Sequence, residues 1–108
     1  MASSKEYLQY VSEQLSHMEG ISHRAMMGEY IIYCRGVVVG GIYDDRLLLK
    51  PTKSAISYIR EQGKTVSYEL PYEGAKEMLF ADELDDREFL SGLVGAVFAD
   101  LSAEKAKK

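Results

Sequence analysis

Apolar residues in the middle of the chain form blocks dense enough to bury on two sides. Tyr30, Ile32 and Cys34 alternate with Ile31 and Tyr33. Val37 and Val39 alternate with Val38, and Leu47 and Leu49 with Leu48. β-branched and aromatic side chains at this density predict strands. Arg35-Gly36 interrupts the first pair of blocks and Asp44-Asp45 the second. Gly36 readily takes the positive φ of a short hairpin loop, and Asp tolerates it better than most residues. The predicted meander spans residues 25–34, 37–43 and 46–50. A sheet with one wet face alternates apolar and polar residues. These strands do not, so something must cover the second face. A second copy of the chain, in a homodimer, is one candidate.

Helical periodicity flanks the meander. Leu8, Val11, Leu15 and Met18 recur at helical spacing beside Tyr7 and predict a helix over 4–17. Ser3-Ser4-Lys5-Glu6 has capping-box form, with Ser3 as the accepting cap and Glu6 reaching back. Gly20 is a suitable stop. Pro51-Thr52 ends the meander, and Thr52 caps a short helix over 53–62 whose apolar side is Ala55, Ile56 and Ile59; Gly63 terminates it. Strands follow at 65–70 and 77–81, joined by the turn-rich Pro71-Tyr72-Glu73-Gly74-Ala75. Asp85 caps a final helix over 86–101, with Leu90, Leu93, Val94, Val97, Phe98 and Leu101 as its stripe. Gly92 and Gly95 weaken that helix by roughly 1 kcal/mol each relative to Ala. Close packing is one reason for them; simple tolerance is the other. The order α-β-β-β-α-β-β-α predicts an α+β fold, a five-stranded antiparallel sheet packed with helices. Residues 3–101 form one domain and 102–108 a charged, flexible tail.

Composition narrows the classes. No apolar stretch is long enough to cross a bilayer, and the first ten residues lack the apolar core of a signal peptide. Cys34 is the single cysteine, so no internal disulfide can form. A cytoplasmic location is the economical expectation. The formal net charge is −4. That sign argues against direct nucleic-acid binding by this chain alone, which would draw on phosphate neutralisation by Lys and Arg. Membrane binding is not expected.

No residue set has the form of a catalytic or metal centre. Cys34 closes an apolar strand with no His nearby in sequence, and reads as a packing thiol. His17 and His23 match no compact zinc spacing. Asp44-Asp45-Arg46 has the composition of an acid/base cluster, but a hairpin turn accounts for it. Catalytic residues, cofactors and metals are therefore expected to be none. Contact surfaces are better represented. Met26 and Met27 open the sheet with adaptable apolar side chains. Tyr68 and Tyr72 flank Pro71, and tyrosines bury area while keeping a polar tip. Asp82, Glu83, Asp85 and Asp86 crowd the entry to the last helix, where the macrodipole favours them and where a basic partner would be steered.

Several short motifs, in order, resemble one family. They are Arg24-Ala25-Met26-Met27-Gly28-Glu29-Tyr30, the Gly36 turn, Gly40-Gly41-Ile42-Tyr43-Asp44-Asp45-Arg46-Leu47, Lys50-Pro51-Thr52, Tyr68-Glu69-Leu70-Pro71-Tyr72-Glu73-Gly74-Ala75-Lys76 and Asp85-Asp86-Arg87-Glu88-Phe89-Leu90. Together they resemble the N-terminal domain of TfoX/Sxy proteins over about residues 4–101. Arg35 stands where that family often has Asn, and Glu77 where it often has Pro. The resemblance implies an α+β fold similar to secretion chaperones, and no known catalysis. It implies a regulator of natural-competence genes that assists a transcription factor at promoters. Such proteins usually carry a second, helical C-terminal domain, and this chain ends before one. The expectation is a non-enzymatic protein-interaction module in transcriptional regulation, acting through a transcription-factor-like protein partner. The alternative is a small-ligand or peptide carrier that uses the second sheet face.

Overall fold

The computed structural model describes residues 3–106. The order is α1 (Lys5–Gln14), β1 (Ile21–Met26), β2 (Glu29–Cys34), β3 (Val37–Ile42), β4 (Leu47–Leu49), α2 (Lys53–Glu61), β5 (Tyr68–Glu69), β6 (Met78–Ala81) and α3 (Arg87–Ala106). The strands form one antiparallel sheet in the order β1-β2-β3-β4-β6-β5. The α+β class is as expected, with six strands rather than five.

The additional strand arises where 25–34 reads as continuous. Met27 and Gly28 both take positive φ (51° and 86°) and make a two-residue hairpin turn that splits that stretch. Such a turn needs φ > 0 at both central residues, which Gly supplies freely and Met does not. Ile21–Met26 carries mixed polarity, is mostly exposed and lies at the sheet edge, so it lacks the apolar density that marks its neighbours. Arg35-Gly36 and Asp44-Asp45 make turns with the same sign of φ at both positions.

Caps differ by one residue from expectation at two helices. Ser4, not Ser3, caps α1, its Oγ accepting from the Tyr7 N–H at 3.2 Å. Asp86, not Asp85, caps α3, its Oδ1 accepting from the Phe89 N–H at 3.1 Å. Thr52 caps α2 as predicted. Gly63 follows α2 at φ 75°, the left-handed conformation of a helix stop. α3 continues past 101 to Ala106, so residues 102–106 are helical rather than a loose tail; Lys107 and Lys108 lie outside the described residues.

The core lies on one face. Ile32, Cys34, Ile42, Leu47, Leu49, Leu79 and Ala81 meet Val11 and Leu15 of α1, Ala55 and Ile59 of α2, and Leu90, Leu93, Val94 and Val97 of α3. The glycines of α3 differ in purpose. A Cβ on Gly92 would fall 2.1 Å from the Tyr58 hydroxyl, whereas Gly95 faces open space. The absent side chain of Gly92 lets Tyr58 of α2 lie close, its ring stacked on Phe89 at 5.5 Å.

Asp100 ties the two helices from the far end. Its carboxylate accepts from the Ser54 hydroxyl and the Ser54 backbone N–H, both at 2.7 Å. The hydroxyl first, then the N–H, hold its pKa below the ordinary carboxylate value. A depressed carboxylate pKa adds stability above the unfolded pKa, and that stability is lost as pH falls through the folded one. Asp100→Ala should therefore lower Tm at neutral pH, and its gap to the parent should shrink as pH is taken below the usual carboxylate range. A gap that stays constant would show that Asp100 acts through packing alone.

Candidate interaction surface

Strand alternation sends Arg46, Leu48 and Lys50 to the face opposite the helices. On that face Leu48 lies between Gly41 and Phe80 in register, yet it is 0% exposed. The cover comes from the chain itself. The Arg46 guanidinium bonds the Glu69 carboxylate at 2.9 Å and the Leu70 carbonyl at 3.0 Å, and its Nε donates to the Tyr43 carbonyl at 3.2 Å. These bonds draw the segment after β5 across the second face. Tyr72 then lies against Tyr43, ring centroids 6.4 Å apart.

Gly41 decides where Tyr43 goes. A Cβ there would fall 2.7 Å from the Tyr43 ring, so only glycine lets that ring lie back along the sheet. Burial, and secondarily the neighbouring Tyr72 and Glu29, raise the Tyr43 pKa, keeping the phenol neutral. Between this ring and the returning segment runs an open groove of about 370 Å³, lined by Val38, Tyr43, Pro51, Pro71, Tyr72 and Met78 with Lys50 and Lys76 also along it.

The predicted contact residues fall into separate places. Met26 and Met27 sit on the β1–β2 turn, at one edge of the sheet; they are 50% and 98% exposed. Tyr68 lies on β5 at the opposite edge, 42% exposed, near Leu70 (45%) and Tyr72 (65%). The methionines and tyrosines are thus not one patch. The acidic run is partly committed to the fold. Glu83 pairs with Lys64 at 2.7 Å, Asp85 accepts from the Tyr10 hydroxyl, and Asp86 is the α3 cap. The Lys64 ammonium also stands 4.8 Å from the Phe89 ring centroid. Sequence reasoning missed Tyr43, Lys50, Leu70, Lys76 and Met78 as surface-forming residues. Gly41, two positions before Tyr43, was the available signal, since glycine within a strand marks close approach.

Other polar groups that meet have structural partners. Glu29 accepts from the Ser3 N–H (2.9 Å), the Ser3 hydroxyl (3.0 Å) and the Asp44 N–H (2.8 Å). Asp45 accepts from the Ser4 N–H at 2.7 Å. These carboxylates staple the start of α1 to two hairpin turns. Arg46 serves the second face. His17 Nε2 stands 2.5 Å from the Ser91 hydroxyl, which itself donates to the Arg87 carbonyl. No group of three or more His, Cys, Asp or Glu among the described residues has metal-site geometry.

Cys34 is 3% exposed within the core, and burial raises its pKa while Arg35 partly opposes the rise. The thiolate is the reactive species. Native protein at pH 8 should react with a disulfide reagent at least tenfold more slowly than protein unfolded in urea. Equal rates would place the thiol at the surface.

The fold is an α+β domain whose antiparallel sheet carries helices on one face and a partly covered apolar groove on the other. No helix of the described residues is long and apolar enough to cross a membrane. Residues 13–92 match the TfoX N-terminal domain, and the chain belongs to that family. It is also 32% identical over 109 residues to an uncharacterized 12.7 kDa protein in the trpE 5′ region of Spirochaeta aurantia, a match covering 100% of this chain and 91% of that relative. No solved structure matches the chain significantly.

Proposed function

We propose that this chain is a non-enzymatic protein-interaction module that acts in transcriptional, competence-type regulation by touching a protein partner in the cytoplasm. The observation that carries this reading is the display of large apolar side chains at both sheet edges. Met27 is the sharpest instance. It is 98% exposed and sits at φ 51°, where a non-glycine residue is uncommon. The hairpin turn needs that φ but does not favour methionine there, and the exposed side chain adds nothing to the core of the isolated domain. Tyr68 and Leu70 add an aromatic and an aliphatic group at the other edge, and Tyr72 stands exposed against Tyr43 on the second face. Aromatic residues and methionine are enriched at protein interfaces. Membership of the TfoX N-terminal family supports the regulatory half of the proposal.

Affinity capture of the chain from its native cell, with Met27→Asn as comparison, tests the reading. Asn suits the turn better than Met and removes the apolar tip. The expected result is a specific protein retained by the parent and weakened by the variant or by Tyr68→Ser/Tyr72→Ser. In parallel, the purified chain should give no tight gel shift with promoter DNA at physiological salt. Strong promoter binding without a partner would refute the partner-dependent role.

A further inference from the structure

We infer that the groove between Tyr43 and the segment 71–77 is a docking site for an extended acidic peptide segment that carries an apolar side chain. This inference rests on the protein-interaction reading and names the site and the partner's chemistry. The groove is built by particular residues. Gly41 makes room for the Tyr43 ring, with only 2.7 Å between that ring and the position a Cβ would take. Arg46 holds the opposite wall through Glu69 and the Leu70 carbonyl. Tyr72 closes on Tyr43 from that wall yet stays 65% exposed. The lining between them is Val38, Met78, Pro51 and Pro71. Proline has no N–H, so its surface favours apolar packing over hydrogen bonding to a ligand.

The charges along the groove select the partner. Lys50 and Lys76 line it, and neither takes part in an ion pair among the described residues. Glu77 is the one carboxylate among its lining residues. In a chain of net charge −4 this is a locally positive apolar surface. It complements a segment whose carboxylates flank a leucine or phenylalanine, and it disfavours a basic one. The volume, about 370 Å³, takes one or two side chains. Small-molecule sites bury most of their ligand. A groove open along its length does not, so an extended chain laid across it is the better-matched occupant.

The test uses ¹⁵N-labelled protein and the blocked synthetic peptide Glu-Asp-Leu-Phe-Asp-Glu. Its charge-inverted counterpart has Lys at each acidic position, and an apolar-deleted counterpart has Ser for Leu and Phe. Amide shifts are expected to concentrate at 38–43, 50 and 72–78 with the acidic apolar peptide. Lys50→Gln/Lys76→Gln should weaken its binding at least fivefold while the amide spectrum shows an intact fold. Either altered peptide should bind at least fivefold more weakly. No binding, equal binding of the charge-inverted peptide, or shifts centred on the β1–β2 turn would overturn the assignment. The two proposals fail separately. If a captured partner binds Lys50→Gln/Lys76→Gln as tightly as the parent, this site is wrong and the interaction module stands. If capture yields no specific partner while the peptide binds as described, the site stands and the regulatory module does not.

Discussion

Gly40→Ala should destabilise the domain by about 3 kcal/mol, the upper part of the usual range for overpacking a well-packed interior. A Cβ at Gly40 would stand 2.1 Å from the Leu48 carbonyl oxygen and 2.9 Å from the Leu49 Cα. Both atoms belong to the backbone of β4, so no side-chain rotation relieves the contact. Gly40 pairs with Leu49 and also with Ile32, which places it in the middle of the sheet. The β2–β3 register shifts beside it, and Val39 is the extra residue. A methyl group there forces β3 and β4 apart where both are buried. A domain of this size is held by about 5–15 kcal/mol, so the substitution removes a large share. Urea unfolding of parent and variant measures it. Gly95→Ala is the internal control: it faces open space on a helix and should gain about 0.5–1 kcal/mol. A Gly40→Ala loss under 0.5 kcal/mol would mean that the strands at this point are not packed as described.

Leu48→Ala should cost about 3 kcal/mol in the isolated chain, within the range for burying and then deleting a leucine side chain. That cost depends on how the second face is covered. Leu47 and Leu49 belong to the helix-side core, and their deletion would be costly in any arrangement. Leu48 points away from the helices. If the second face were open in a single chain, truncating Leu48 would cost well under 1 kcal/mol, as at most surface positions. It is fully buried between its sheet neighbours Gly41 and Phe80, on the face where Arg46 holds the segment after β5 through the Leu70 carbonyl. Arg46→Ala should accordingly recover part of the Leu48→Ala effect: with the segment released, Leu48 is less buried and its truncation costs less. The double-mutant cycle reads this coupling directly. Additive losses would show that the segment and Leu48 are independent.

Much of the architecture is legible in residue patterns. The blocks around Ile32, Val38 and Leu48 announce three central strands because a core on one face and partial cover on the other favour apolar residues at nearly every position. Thr52 and Gly63 bracket α2 because a cap hydroxyl and a left-handed stop are local requirements. The first strand escapes detection for the complementary reason. Ser22, His23 and Arg24 pair by backbone hydrogen bonds at an exposed edge, which places little demand on side-chain type. Its turn is held by Met27, a residue without turn chemistry of its own, so Gly28 alone hints at it. The caps slip by one because neighbouring Ser3 and Ser4, and neighbouring Asp85 and Asp86, offer equivalent local chemistry. Long-range partners choose between them. Ser3 is taken by Glu29, 26 residues away, and Asp85 by Tyr10, 75 residues away.

The candidate surface was legible as residue types and not as a place. Met26, Met27, Tyr68 and Tyr72 stand out because large apolar side chains in turn-rich sequence need explaining. The separation of the methionines from Tyr68 onto opposite edges follows from strand order, which places β1 and β5 at the two ends of the sheet, while Tyr72 returns onto the second face against Tyr43. The groove depends on Gly41 beside Tyr43 and on Arg46 reaching Leu70, a contact spanning 24 positions. By itself the amino-acid sequence determined the helices, the central meander and the family, because hydrophobic period, caps and turns are local chemistry written within a few residues. Only the tertiary structure decided which face of the sheet each helix covers, which carboxylates are spent on the fold and where the apolar groove opens. Those outcomes depend on contacts between residues far apart in the chain, and local pattern does not encode which of several equivalent groups will meet.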